Sequence, residues 1–188
     1  MTVQFIRILL IIILCTVNST AQMGFTIYPS ENQVKVKYLY NFARFVEWPD
    51  EVFPDPRTPI TIGVICEDPF GIDLNKTVEG KRINGREFQI KRFDRVEDVE
   101  YCHILFIGSC SQNERHRILN QLKAIPILTV GDVDQFAYDG GMINFITENK
   151  NIRFEINNEA AKRSGLILSS KILKMARIVV ENKPYSGG

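Results

Sequence analysis

Two stretches of strict apolar–polar alternation, close together near the C-terminal end, constrain this chain more than any other feature. Ile143 and Phe145 alternate with Asn144, and Ile152, Phe154 and Ile156 alternate with Arg153 and Glu155. A period of two sends successive side chains to opposite faces, so each stretch reads as a strand with one buried face. The polar residues Glu148 to Asn151 between them predict a β-hairpin with a four-residue loop. Ahead of it, Asp139-Gly140-Gly141 is a turn, because adjacent glycines reach positive φ without steric cost. Asn157 is placed to cap a following helix, Glu159 suits its positive end, and Gly165 stops it. A second helix, starting at Ser169 or Ser170, sets Ile172, Leu173, Ala176, Val179 and Val180 on one apolar stripe. Hairpin and closing helix are expected to form one packing unit.

The opposite end carries an export signal. Arg7 supplies a positive charge, Ile8 to Leu14 is uninterruptedly apolar, and Ser19-Thr20-Ala21 places small residues at a cleavage site after Ala21. That apolar run is well short of the ~20 residues that a bilayer requires. The expected layout is therefore a signal peptide at 1–21, an N-terminal extension at 22–33, one α/β domain at 34–180 and a tail at 181–188. After cleavage the chain would not span a membrane. Export into an oxidising compartment gives the remaining thiols, Cys66, Cys102 and Cys110, a meaning: one disulfide and one free thiol. A formal charge of +1, with no run of Lys or Arg, offers nothing to a nucleic-acid backbone.

Between the ends, strands alternate with helices. Ser30 and Gln33 fit a capping box for a helix running to about Val46, with Val36, Leu39, Ala43 and Val46 on one stripe that Tyr38, Phe42 and Phe45 widen. Trp48-Pro49 ends it. Pro54, Pro56 and Pro59 make an extended linker into the apolar strand Ile60 to Ile65. Asp68-Pro69-Phe70-Gly71 turns into a short helix at Ile72 to Val78, and Asn84-Gly85 turns into a strand from Phe88 to Phe93. Val96 and Val99 sit on another short helix. His103 to Ile107 and Ile127 to Val130 are further apolar strands, joined by a helix that Ser111 caps and that buries Ile118, Leu119 and Leu122. This order predicts a single three-layer, Rossmann-like α/β domain with a mostly parallel sheet, to which the C-terminal hairpin adds an antiparallel edge.

Open parallel sheets bind ligands beyond the carboxyl ends of their strands. Asp68, Ser109 and Asp132 lie at those ends and are the candidates for a ligand crevice, although no turn carries a phosphate-loop pattern. His103 and His116 do not form a recognised nucleophilic or zinc arrangement with the cysteines. No catalytic residue, metal or cofactor is expected. If the strands at Ile60 and His103 are parallel neighbours, Cys66 and Cys110 leave the same end of the sheet, which favours that pair. Asn144, Arg153, Glu155 and Asn157 are the polar members of the C-terminal unit. With Phe42, Phe45 and Trp48 they are candidates for contact with a partner, at an exposed sheet edge or an aromatic helix face.

Gly140-Gly141-Met142-Ile143-Asn144-Phe145, Arg153-Phe154-Glu155-Ile156-Asn157, Ser164-Gly165-Leu166 and, near the start, Asn41-Phe42-Ala43-Arg44-Phe45-Val46-Glu47-Trp48-Pro49 resemble the YfiR/HmsC family of bacterial periplasmic proteins. The resemblance runs from about Val34 to Ile178. It implies a dimeric periplasmic regulator that binds the periplasmic domain of an inner-membrane diguanylate cyclase and restrains cyclic-di-GMP output and biofilm formation. It also implies a bridge from the cysteine before His103 back to the first strand, hence Cys66 with Cys102. The family's other bridge has no counterpart, since no Cys follows Cys110. The alternative reading is a periplasmic small-ligand sensor protein feeding a sensor kinase.

Overall fold

The computed structural model describes residues 29–99 and 101–179. The expected signal sequence and cleavage site, the expected tail and Val180 lie outside them.

The first described helix, α1 (Glu31–Phe42), opens on a complete capping box. Ser30 Oγ accepts from Gln33 N–H at 3.3 Å, and the Gln33 side chain accepts from Ser30 N–H at 3.2 Å. α1 stops at Phe42 rather than near Val46. Val46 and Glu47 instead form β1 (Val46–Glu47), paired antiparallel with Leu168 and Ile167. A β-branched residue gains more from that pairing than from another helical turn, and Pro49 biases the preceding backbone to extended form.

β2 (Ile60–Ile65), α2 (Ile72–Val78), β3 (Arg82–Ile83), β4 (Arg86–Phe93), β5 (Ile104–Ile107), α3 (Gln112–Leu122) and β6 (Leu128–Gly131) follow in the predicted alternation. β3 is an addition, folded back on β4 through Asn84 and Gly85, both at positive φ. The hairpin is β7 (Ile143–Glu148) and β8 (Asn151–Ile156), with Glu148 opposite Asn151. Its loop is thus only Asn149 and Lys150, at φ 49° and 63°, and not four residues. Two left-handed residues match the twist of the flanking strands and let Glu148 and Asn151 pair.

After α4 (Asn158–Arg163) and the short β9 (Ile167–Leu168), α5 covers only Ser170–Met175. Ala176 turns to extended backbone, and Ile178 and Val179 form β10 (Ile178–Val179), parallel to β8. The long closing stripe is therefore not formed: β-branched Ile and Val go to a sheet edge. As a result the hairpin is not the edge of the sheet. The strand order is β10-β8-β7-β6-β5-β2-β4-β3, mostly parallel, with a separate pair β1-β9.

Each face of the sheet carries an apolar cluster. Ile62, Val64, Ile104, Phe106, Leu128 and Val130 meet Val36, Leu39 and Phe42 of α1, Leu74 of α2 and Ile172 of α5. Leu105 and Ile107 point the other way, into Ile118, Leu119 and Leu122 of α3. The turn before β7 shows why two glycines are needed. Gly140 has φ 104°, whereas Gly141 leaves room, since a Cβ there would lie 2.1 Å from the buried Phe136 ring.

An aromatic cluster joins α1 to the hairpin. Phe42 lies 5.7 Å from Phe145 and 5.4 Å from Phe154, ring centre to ring centre, and Tyr38 lies 5.5 Å from Phe154. Truncation of a buried Phe costs about 3–5 kcal/mol. Phe42, 1% exposed, is expected to lose that much stability as Phe42→Ala, measured by urea unfolding with an unchanged slope.

Candidate interaction surface

Where α1 crosses the hairpin, the outer side of the aromatic cluster is open. A groove of about 720 Å³ runs between Glu31, Val34 and Tyr38 of α1 and Lys150, Ile152 and Arg153 of the hairpin. Tyr38 also borders a second, smaller hollow of about 200 Å³ whose wall includes Phe42, Phe45, Phe154 and Met175. Met175 is 48% exposed. The two hollows form an apolar surface with charged residues at one end, built by elements that lie more than a hundred positions apart in the chain.

The predicted contact residues divide accordingly. Phe45 is half-buried on the wall of the smaller hollow and Arg153 is exposed at the rim of the larger. Phe42 is core. Asn157 is fully buried: its Nδ2 donates to Ala137 O at 2.8 Å and its Oδ1 accepts from Ala160 N–H at 2.9 Å. Its role is to cap α4 and hold the 137 turn, so it presents nothing to a partner. Asn144 is 2% exposed and donates to Glu155 across the hairpin at 3.4 Å. Trp48 belongs to a different groove, described below.

The crevice residues are spent on separate structural partners. Asp68 accepts from Phe70 N–H and Gly71 N–H with one oxygen, and from Arg92 Nε at 2.7 Å with the other. Asp132 pairs with Lys35 of α1 at 3.0 Å, and Lys35 also meets Glu31 at 2.8 Å. Burial works against the charge on Lys35, but these two carboxylates outweigh it and hold the ammonium above its usual pKa; Lys35 in turn lowers that of Glu31. Ser109 is exposed, and its carbonyl accepts from Glu67 N–H. The chain reverses direction across the sheet between β2 and β5, the place where a ligand crevice would open. Here the backbones meet: a Cβ on Gly108 would lie 1.9 Å from Glu67 O.

That same end of the sheet carries Cys66 and Cys110. β2 and β5 are parallel neighbours, with Ile65 opposite Ile107, so both thiols emerge together. Burial and the adjacent Cys110 thiol push the Cys66 pKa up to about 12. Cys102 is buried, and the β2 residue facing it is Gly63, where a Cβ would lie 3.2 Å from its sulfur. All three cysteines are free thiols in this structure.

His103, at the start of β5, is 1% exposed. Its Nδ1 accepts from Thr61 N–H at 3.0 Å and its ring stacks on Phe53 at 4.4 Å. His116 lies apart, on α3 beside Asp139.

A profile of the YfiR/HmsC-like family matches residues 32–177. The chain belongs to the YfiR/HmsC-like family. The match takes in both sides of the groove, from α1 to the residues after α5. Among solved structures, a conserved domain protein from Vibrio cholerae O1 biovar El Tor N16961 is 13% identical, with a TM-score of 0.49, over 80% of this chain and 60% of that one. An ABC domain in complex with L-Trp from Streptococcus pneumonia is 11% identical, with a TM-score of 0.45, over 79% and 62%. This YfiR/HmsC-like chain thus spans about three fifths of the length of those structures. Among the described residues, no helix is long and apolar enough to cross a membrane.

Sequence reasoning missed the groove because its walls are joined only by the fold. The aromatic spacing on α1 was the available signal, and it marked Phe42 and Phe45 alike. Which of them faces outward depends on where α1 ends.

Burial, helped by the charge of Arg86, lowers the His103 pKa to about 4. The folded protein therefore keeps this imidazole neutral while the unfolded chain takes up a proton near 6.5. The resulting stability is fully present above that value and is lost as pH falls through about 4. The expected contribution is about 3 kcal/mol. Urea unfolding between pH 7 and 4 should show it as a wild-type loss that the His103→Gln variant lacks.

Proposed function

We propose that this chain is an exported regulator that binds the periplasmic domain of an inner-membrane signalling receptor, with a diguanylate cyclase as the expected receptor. It would restrain cyclic-di-GMP signalling and biofilm formation. The observation that carries this reading is the family match over residues 32–177, which includes most of α1 and the whole hairpin on either side of the groove. In the same proposal residues 1–21 are a cleaved signal, the domain is three-layered and Rossmann-like, and the working form is a homodimer. The regulator carries out no turnover. It acts by binding the inactive receptor conformation more tightly, because equal affinity for two states shifts neither.

The outward wall formed by Phe45, Tyr38 and Met175 is the proposed receptor or dimer surface. An apolar centre with Glu31, Lys150 and Arg153 at one end has the composition of a non-obligate interface. A crosslinked pull-down of the tagged protein from its own cell envelope is expected to capture a transmembrane cyclase. Met175→Asp, at an exposed position, should abolish capture with little change in melting temperature. A captured sensor kinase would instead favour the second reading, a small-ligand sensor protein, for which the hollow of about 450 Å³ beside Trp48 provides a volume. Capture of nothing, under crosslinking that traps an established envelope pair, would overturn both.

The same compartment oxidises thiols. We place the disulfide between Cys66 and Cys110, with both thiol protons and two electrons passing to a disulfide-bearing oxidant, and leave Cys102 as the buried thiol. Non-reducing peptide mapping of the exported protein should return a linked pair containing Cys66 and Cys110. A Cys66 to Cys102 link would refute the assignment.

A further inference from the structure

Among the described residues, three buried polar atoms in one aromatic cluster have no hydrogen-bond partner: Trp48 Nε1, Tyr101 Oη and His103 Nε2. The rings touch. Trp48 meets His103 edge-on at 5.8 Å and Tyr101 meets it edge-on at 5.0 Å. The large majority of buried side-chain polar atoms in folded proteins have a partner, so three orphans on touching rings, one of them the imidazole's own nitrogen, call for a guest.

The donor pattern states what the guest brings. His103 Nδ1 accepts from the Thr61 peptide N–H, which cannot give up its proton. The neutral ring therefore carries its hydrogen on Nε2, and that nitrogen is a donor. Trp48 Nε1 can only donate. Tyr101 both donates and accepts. The complement is one oxygen with two lone pairs for the two N–H groups and room for the phenol.

Charge decides between a neutral oxygen and an anion. The adjoining hollow, of about 450 Å³, has Trp48 and Phe53 on its wall together with the carboxylates of Glu47 and Asp50. Arg86, the cation there, lies over the far face of Phe53 at 4.1 Å and donates to the carbonyls of Asp55, Pro56 and Thr58. An anion would pass two carboxylates at the entrance, and Arg86, the cation whose charge reaches His103, is already engaged with three carbonyls and the Phe53 ring.

We infer that Trp48, Tyr101 and His103 form a receiving site for one neutral oxygen acceptor, beneath the Glu47–Arg86 hollow. The oxygen comes either from a long-lived water molecule or from the carbonyl of an uncharged amide-like ligand entering through the hollow. A water that reached all three atoms would have three polar partners, within the range that holds buried waters in place.

Trp48 is the only tryptophan of the chain, so its indole N–H gives one identifiable signal in a 15N–1H spectrum. Two measurements on the labelled protein separate the sources. A cross-peak between that N–H and water in the free protein assigns the site to solvent. A saturable shift of the signal on adding acetamide, weakened at least several-fold in Tyr101→Phe, assigns it to a carbonyl ligand. Either result supports the site. Tyr101 is half-buried and outside the strands, so its variant keeps the fold even where a His103 variant does not. The inference fails if acetate shifts the signal at lower concentration than acetamide, which would mark an anion site. It fails equally if neither water nor acetamide reaches the N–H.

Discussion

The contact of four rings, Tyr38 and Phe42 of α1 with Phe145 and Phe154 of the hairpin, is the interaction on which the rest depends. Ring pairs at this distance are favourable when each ring presents an edge or an offset face. The geometry here does so, from the edge-on meeting of Phe42 with Phe154 to the offset stacking of Phe42 on Phe145. This cluster ties the first helix to strands that are added at the far end of the chain. It closes one side of the sheet, and its outer surface is the proposed interaction site. Core and candidate site are therefore two sides of one cluster, and a residue's role follows from the side it faces.

A second constraint is close backbone approach. Gly108 against Glu67, and Gly131 and Gly141 around Phe136, leave no space for a side chain. The first closes the place where a related sheet architecture would open a crevice, and it sets Cys66 beside Cys110. The polar residues expected to line that crevice then serve as fasteners: Asp68 holds Arg92 and its own turn, and Asp132 holds Lys35. The open hollows lie instead at the sides of the domain, between α1 and the hairpin and beside the loop around Trp48.

Much of this was legible in the residues. The capping box at Ser30, the hairpin, the cap at Asn157, the stop at Gly165 and the parallel strands all follow from local rules, since each depends on neighbours within a few positions. The errors share a cause. Helix α1 and helix α5 both end early because a β-branched segment finds a distant strand to pair with, Val46 at Leu168 and Ile178 at Glu155. The tight turn at Asn149 and Lys150 escaped because neither residue is the glycine that usually marks such a turn. Asn157 reads as polar and available, yet the fold buries it and uses every polar atom of its side chain in holding other segments.

The sequence by itself determined the alternating strands and helices, the apolar faces, the helix starts and the kinship with YfiR/HmsC-like proteins, because periodicity and motif are properties of order along a chain. Only the tertiary structure decided which aromatic residues face out, which thiols are neighbours, and that three polar atoms on and beside His103 lack a partner among the described residues. Those are statements about which distant residues share a few ångströms, and they depend on where each element stops and what it meets. No local pattern contains that information.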